Sequence, residues 1–299
     1  MIRTIIANII VSLIGIPAAV VAVEKNAMKT NILTSSSISP ARQFVSAADF
    51  GVRQQDNLVI LASGGQQFDA DSKSEIPGWL HIAPAAEKPE NTLNSNLQDF
   101  SYKKWTHFDA KNIKKMQVVK DAADEKTVYL KIKNGRWYHE KEDVVVYCLE
   151  VNLTVRKDIP CLFVYQRIVN PAEPPQKLCY GNYISDILCY AGPDSAVQSV
   201  DQTEKKWHTL FKGNWIWIKL AAGNPAEEKK GLGIISFAPT RFCLSGPNRL
   251  FWGYETKNVK KYDALEYKMA VFSAQTPEEV KALYEKIKDV HFAPFLSAK

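Results

Sequence analysis

Residues 144–156 read Val-Val-Val-Tyr-Cys-Leu-Glu-Val-Asn-Leu-Thr-Val-Arg. The odd positions Val145, Tyr147, Leu149, Val151, Leu153 and Val155 are apolar from end to end. The even positions change from Val144, Val146 and Cys148 to Glu150, Asn152 and Thr154. Period two with one dry face is a strand on a core, and the second face is dry at its start and polar at its end. Asp158-Ile159-Pro160 then turns the chain. Cys161 to Val169 returns as another apolar run, so the pair reads as an antiparallel hairpin.

Working outward, the same criterion predicts strands at Asn57–Ala62, at Thr127–Lys133 with Val128, Leu130 and Ile132 on one face, and at Asn214–Ala221. Further strands are expected at Leu232–Ala238, Arg241–Ser245, Leu250–Tyr254 and Leu265–Ser273. Ala83 to Gln98, rich in Pro, Ala, Asn and Glu, reads as a long surface loop. One helix is encoded near the C-terminus. Thr276 is its N-cap, Pro277 its first position, and Glu279 closes a capping box. Val280, Leu283, Tyr284 and Ile287 follow as one apolar stripe, which suits a helix packed on the outside of a sheet. Many strands, long connections and one terminal helix predict an all-β chain, a large antiparallel β-sandwich with one C-terminal α-helix.

Composition agrees with a folded chain. Of 299 residues, 46% are apolar and 23% charged, which excludes wholesale disorder and a polytopic membrane protein. Residues 1–22 read as a signal peptide: Arg3 gives a positive start, Ile5–Val21 is apolar apart from Asn8 and Ser12, and Val20-Val21-Ala22 precedes a cut. An uncleaved N-terminal anchor is the alternative, and Pro17 and Glu24-Lys25-Asn26 suit cleavage better. Residues 23–43, Ser-rich toward Pro40, read as a linker, and 44–299 as a single domain, with a smaller N-terminal subdomain at 44–121 as the alternative. A secreted or periplasmic protein is expected, touching a membrane only through its signal. The formal charge of +6 is small for this length, so no nucleic-acid partner is expected. Cys148, Cys161, Cys179, Cys189 and Cys243 make no C-x-x-C pair, and Cys179 with Cys189 is the pairing to test first for a disulfide.

The usual catalytic signatures are absent. There is no phosphate loop, no H-E-x-x-H and no G-x-S-x-G. Gly231-Leu-Gly233 precedes a strand and cannot act as a dinucleotide loop, so no cofactor is expected. The histidines show no metal-ligand spacing, so no metal site is expected. The informative feature is aromatic placement. In Asn214-Trp-Ile-Trp-Ile-Lys-Leu220 the isoleucines and Leu220 share one face, and Trp215, Trp217 and Lys219 share the other. Two Trp and a Lys fit a partly covered sheet surface that stacks sugar rings. They fit equally a second core layer under the terminal helix. In the segment 247–255, Arg249 and Glu255 stand among Phe251, Trp252 and Tyr254. Arg249 would hold a substrate carboxylate through its two-pronged donor set, and Glu255 would act as a base if burial raised its pKa. An ordinary surface ion pair explains them as well. His139 and His208 are candidate proton carriers, each also readable as a solvated loop histidine. The paired lysines along the chain read as ordinary solvated faces, compatible with a weak preference for acidic polymers such as uronate glycans.

Residues 128–273 resemble the galactose-mutarotase-like β-supersandwich superfamily. Val144–Arg156 followed by Cys161–Asn170 is similar to the long strand pair that ends in an Asn in those folds. Gly233–Ala238 and Leu265–Phe272 look like its later strands. The resemblance implies a supersandwich-like fold with a concave sheet face that binds carbohydrate. The candidate ligand contacts are Trp215, Trp217, Arg249, Trp252, Arg167 and Asn170, and the resemblance puts Glu255 near the region of the epimerases' base. The epimerases' catalytic His has no counterpart in residues 170–183, so mutarotase chemistry is not implied. The expected function is an exported protein that binds a glycan or oligosaccharide and modifies it in an epimerase- or lyase-like way, with Glu255, His139 and His208 as catalytic candidates. The competing expectation is a non-catalytic extracellular or cell-envelope module. A third is a structural sandwich with both tryptophans buried.

Overall fold

The computed structural model describes residues 50–74, 78–84, 91–99, 104–135, 146–172, 175–201, 203, 206–221, 231–246 and 248–298. The expected signal, the linker and His139 lie outside the described residues. Strands β1 (Gly51–Gln55), β2 (Leu58–Ser63), β3 (Gln66–Asp71), β4 (Leu80–Pro84), β5 (Asn91–Asp99) and β6 (Lys104–Phe108) come first. After a 3₁₀ turn at Ala110–Asn112 follow β7 (Ile113–Asp121), β8 (Glu125–Lys133), β9 (Cys148–Arg156), β10 (Ile159–Val169), β11 (Gln176–Ile184), β12 (Ile187–Ala191) and β13 (Gln198–Ser199). The long strands β14 (His208–Leu220), β15 (Gly231–Ser245), β16 (Arg249–Val259) and β17 (Ala264–Ala274) precede helix α1 (Pro277–Ile287). Among the described residues the protein is all-β and antiparallel, with one helix near the C-terminus.

Two layers face each other. The first runs β7–β8–β9–β10–β17 and continues through Gly231–Ser236 of β15 to Trp215–Lys219 of β14. The second runs β6–β5–β11–β16 and continues through Phe242–Ser245 of β15 to the start of β14. β14 and β15 therefore serve both layers. The register shifts between Gly213 and Trp215, where the two strands pass from one layer to the other. Strands β1 to β4 form an antiparallel ribbon that joins β5 through the Leu80–Leu93 pairing. Leu93, Leu97, Leu178 and Trp252 of the second layer meet Leu130, Leu149, Val151 and Val164 of the first in one core that also takes in Val59, Leu61 and Phe68 of the ribbon.

Of the stretch that opened the sequence reading, Cys148–Arg156 forms β9, and Val144 and Val145 lie outside the described residues. Tyr147, Leu149, Val151, Leu153 and Val155 are all wholly buried. The hairpin to β10 turns on Asp158 at φ +64, a left-handed position that Asp tolerates better than most residues. The polar end of the other face has its own cover. The Asn152 side-chain amide lies against the main chain of Leu296, and the orientation that puts its oxygen on the Leu296 N–H, at 2.7 Å, and its nitrogen on the Leu296 carbonyl, at 2.9 Å, satisfies both groups. Phe292 packs edge-on against Phe163 and Tyr165, and Phe295 against Tyr129 and Tyr165. The segment after α1 thus lies along the outer face of the first layer.

A buried polar network ties the layers together. Gln166 of β10 and Asn182 of β11 exchange amide hydrogen bonds at 2.9 and 3.0 Å. Ser95 of β5 donates to Asn182 Oδ1 at 2.7 Å and accepts from Trp79 Nε1 and the Tyr180 hydroxyl. Gln166, Asn182, Ser95 and Trp79 are wholly buried, so their polar atoms depend on one another.

Three expectations change. Ala83–Gln98 is not a loop at its C-terminal end: β5 occupies Asn91–Asp99, with Leu93, Ser95 and Leu97 turned to the core. Its Asn-rich composition disguised a period-two pattern. Leu232–Ala238 and Arg241–Ser245 are halves of the single strand β15. The five cysteines are free thiols, so Cys179 and Cys189 are not bridged.

Asn182→Ala leaves the Gln166 amide and the Ser95 hydroxyl buried with missing partners. A loss of about 3 kcal/mol is expected, read as a lower urea midpoint with an unchanged slope.

Candidate functional site

Outward-facing residues of the second layer alternate with its core residues. On β5 these are Thr92, Asn94, Asn96 and Gln98, and on β6 they are Trp105 and His107. On β11 they are Cys179 and Tyr183, and on β16 Arg249, Phe251 and Tyr254. Trp207, just before β14, overhangs the same surface. Together these residues line a cleft of about 1070 Å³.

The aromatic groups form a continuous run. The Trp105 ring meets His107 edge-on at 4.8 Å, and His107 lies 5.6 Å from Tyr183. Tyr183 stacks on Phe251 at 5.4 Å with an interplanar angle of 24°. Phe251 touches Trp207 at 4.9 Å and Tyr254 at 5.4 Å, and Trp207 closes the group against Tyr254. Trp207 remains 49% exposed, a large apolar surface left open to solvent. The Thr209 hydroxyl and the Trp207 indole hydrogen bond to Cys243 beneath.

A bulge in β16 builds this wall. Asn182 pairs with Trp252 but Tyr180 pairs with Glu255, so Gly253 and Tyr254 together oppose Gly181. Gly253 takes φ +81 there, which favours glycine. The extra residue shifts the alternation by one. Tyr254 consequently faces outward with Phe251, and Glu255 turns to the other side. Tyr254 lies directly across β11: a Cβ on Gly181 would come within 2.2 Å of its ring. The Tyr254 hydroxyl donates to Asn96 Oδ1, which locks the ring.

Burial governs the titrating groups of the cleft. It holds His107 below its usual imidazole range, with Asp109 opposing and Arg249 adding to the depression. The Tyr183 hydroxyl lies 3.4 Å from His107 Nδ1. Burial pushes the Tyr254 phenol far up and the Cys179 thiol up, so both stay protonated near neutral pH. Arg249 is exposed at the rim, and among the described residues it forms no ion pair. Asp186, also at the cleft, accepts a hydrogen bond from the Asn248 amide at 3.0 Å.

Of the catalytic and ligand-binding candidates from the sequence that lie among the described residues, Arg249 alone is in this cleft. Trp215 and Trp217 are 6% and 5% exposed and pack under Val280, Leu283 and Ile287 of α1. Their face is a second core layer, not a sugar platform, because the helix covers it. Trp217 Nε1 donates to Ala274 O at 3.1 Å, which satisfies its polar edge. Trp252 is wholly buried in the main core. Asn170 is also wholly buried. Its amide bonds Val259 O at 2.8 Å and accepts from Ala172 N, so it fastens the end of β10 to the β16–β17 turn. Arg167 lies on the outer face of the first layer with its guanidinium over Phe295. Glu255 is exposed beside Tyr267 and Lys257 on the far side of β16, where the bulge directs it. His208 is exposed and pairs with Leu244, off the cleft.

A further cluster lies in the ribbon. Asp69 and His81, opposite each other on β3 and β4, are joined Oδ1 to Nδ1 at 2.7 Å, with Ser74 Oγ 3.5 Å from Nε2. His81 is wholly buried, so its imidazole is closed to a substrate. The cluster fastens the two strands. Among the described residues, no three His, Cys, Asp or Glu side chains gather to hold a metal, and no helix is long and apolar enough to cross a membrane.

No protein-family model and no curated protein matches this sequence. Solved structures do match its fold. The GH36 alpha-galactosidase AgaB from Geobacillus stearothermophilus is similar at a TM-score of 0.50 and 10% identity, over 76% of this chain and 41% of that one. A variant of AgaA from the same organism, in complex with raffinose, is similar at a TM-score of 0.50 and 9% identity, over 76% of this chain and 42% of that one. The chain spans about two fifths of the length of those proteins. At this identity the likeness establishes a shared β-sandwich architecture.

An NMR titration of His107 from about pH 8 to about pH 4 should give a midpoint below the ordinary 6.5. Arg249→Gln should raise that midpoint by removing a repelling cation, and Asp109→Asn should lower it. The unfolded chain takes up this proton first, so through His107 the fold loses stability as pH falls below the ordinary value.

Proposed function

We propose that this is an exported carbohydrate-binding protein, and that its glycan site is the aromatic cleft on the outer face of β6–β5–β11–β16. The observation that carries the reading is the joined run of Trp105, His107, Tyr183, Phe251, Tyr254 and Trp207 beside the amides of Asn94, Asn96 and Gln98. Pyranose rings present apolar C–H faces and a rim of hydroxyls. Ring faces stack on the first, and amides exchange hydrogen bonds with the second. A cleft of about 1070 Å³ has room for several sugar units. The β-sandwich shared with carbohydrate-active enzymes points the same way.

An epimerase- or lyase-like step on the bound glycan is favoured by one observation. His107, kept neutral by burial and set against the Tyr183 hydroxyl, is a proton acceptor inside the cleft. It takes the part that the sequence suggested for Glu255. Export rests on the apolar run at Ile5–Val21 and the small residues before position 23.

On a glycan array the protein should retain oligosaccharides. Trp207→Ala should weaken the best of them about tenfold, the equivalent of one aromatic contact of about 1.4 kcal/mol. Trp215→Phe, a change in the helix-covered layer, should keep that affinity and lower the melting temperature. A protein that retains no glycan, or one for which Trp215→Phe weakens binding as much as Trp207→Ala, excludes this site. Mass analysis of the glycan recovered after incubation separates the two modes: unchanged for a binder, altered for an enzyme.

Residues 1–43 fused to a reporter that is active only outside the cytoplasm should give signal, and replacing Ile9 and Val11 with Lys should abolish it. Signal that survives this replacement refutes the export reading.

A further inference from the structure

We infer that the cleft takes an acidic glycan, and that Arg249 anchors a sugar carboxylate at its rim. This rests on the glycan reading above and names the class of ligand. Among the described residues that line the cleft, Arg249 is the sole lysine or arginine. It is exposed and forms no ion pair among the described residues, so its planar donor fork is open to a ligand. A guanidinium donates two parallel hydrogen bonds to a carboxylate, which an amide cannot do. Asp186, the one carboxylate among the described lining residues, is held by the Asn248 amide and forms no ion pair with Arg249.

The rest of the wall is neutral. Thr92, Asn94, Asn96 and Gln98 carry no charge, and Tyr254 and Cys179 stay protonated. The field of Arg249 reaches across the cleft, since it contributes to the depression of His107. One cation beside ring faces, without an ion pair among the described residues, fits a single carboxylate on a sugar ring. It does not fit a densely charged chain, whose every phosphate or sulfate would need its own lysine or arginine. Phe251, two residues along the same face of β16, and Trp207 above it supply the stacking surface next to the charge. A uronate-type sugar would lie on these rings with its carboxylate on Arg249.

The test is an array of uronate-containing oligosaccharides, each printed beside its carboxyl-reduced counterpart of the same length and linkage. At about 50 mM salt the protein should favour at least one acidic member over its reduced partner by about tenfold or more, and the ratio should shrink toward one in about 0.5 M salt. Arg249→Gln should bring the ratio near one at low salt, and Arg249→Lys should restore part of it. Circular dichroism melts establish that both variants fold, as expected at an exposed position. Equal retention of acidic and reduced members overturns the acidic specificity and leaves the glycan reading standing. A preference that survives in Arg249→Gln overturns the role of Arg249. Retention of neither class overturns the glycan reading, and this inference with it.

Discussion

The amide pair between Gln166 and Asn182 is the contact on which the arrangement depends. It joins β10 of one layer to β11 of the other, and Ser95, Trp79 and Tyr180 complete it. Apolar side chains tolerate small slides between layers, because dispersion has no preferred direction. A buried amide does not, because a shift of one residue leaves donors and acceptors unpaired at about 1–3 kcal/mol each. With Asn182 and Ser95 fixed inward, their neighbours on β11 and β5 are fixed outward. The cleft is therefore the outer face of the strands that the network holds in register.

Two local devices then decide what that face displays. The bulge at Gly253 shifts the alternation of β16, brings Tyr254 onto the aromatic wall and removes Glu255 from it. Gly181 leaves the space in which the Tyr254 ring lies across β11. On the opposite layer, α1 and the segment after it close the outer surface and convert Trp215 and Trp217 into core. One layer is sealed by the C-terminal residues, and the other keeps its outward aromatic face open.

Much of the scaffold could be read from residue order. The β9–β10 hairpin, the strands at Leu58–Ser63 and Ala264–Ala274, and the capped helix at Pro277–Ile287 all follow from strong periodicity with clear punctuation. The site was far less legible. β5 carries Leu93 and Leu97 at alternate positions, a period-two signal diluted by asparagines of low strand propensity. Those same asparagines line the cleft. Arg249 was legible because a charged residue among aromatics at a strand end is unusual. His107, Tyr183 and Trp207 come from segments far apart in the chain, and each reads as an ordinary aromatic position by itself.

By itself the sequence determined the class: antiparallel strands and one terminal helix at defined ends. These depend on local patterns, since a strand or a helix cap is written within about ten residues. Tertiary structure alone decided which aromatic face is open. Trp215–Trp217 and Phe251–Tyr254 look equivalent as sequence, each an aromatic pair on a strand. One is covered by a helix some sixty residues downstream, and the other is aligned by a one-residue bulge against β11. Both effects depend on partners distant in the chain, so neither is encoded in the local pattern that identifies the strands.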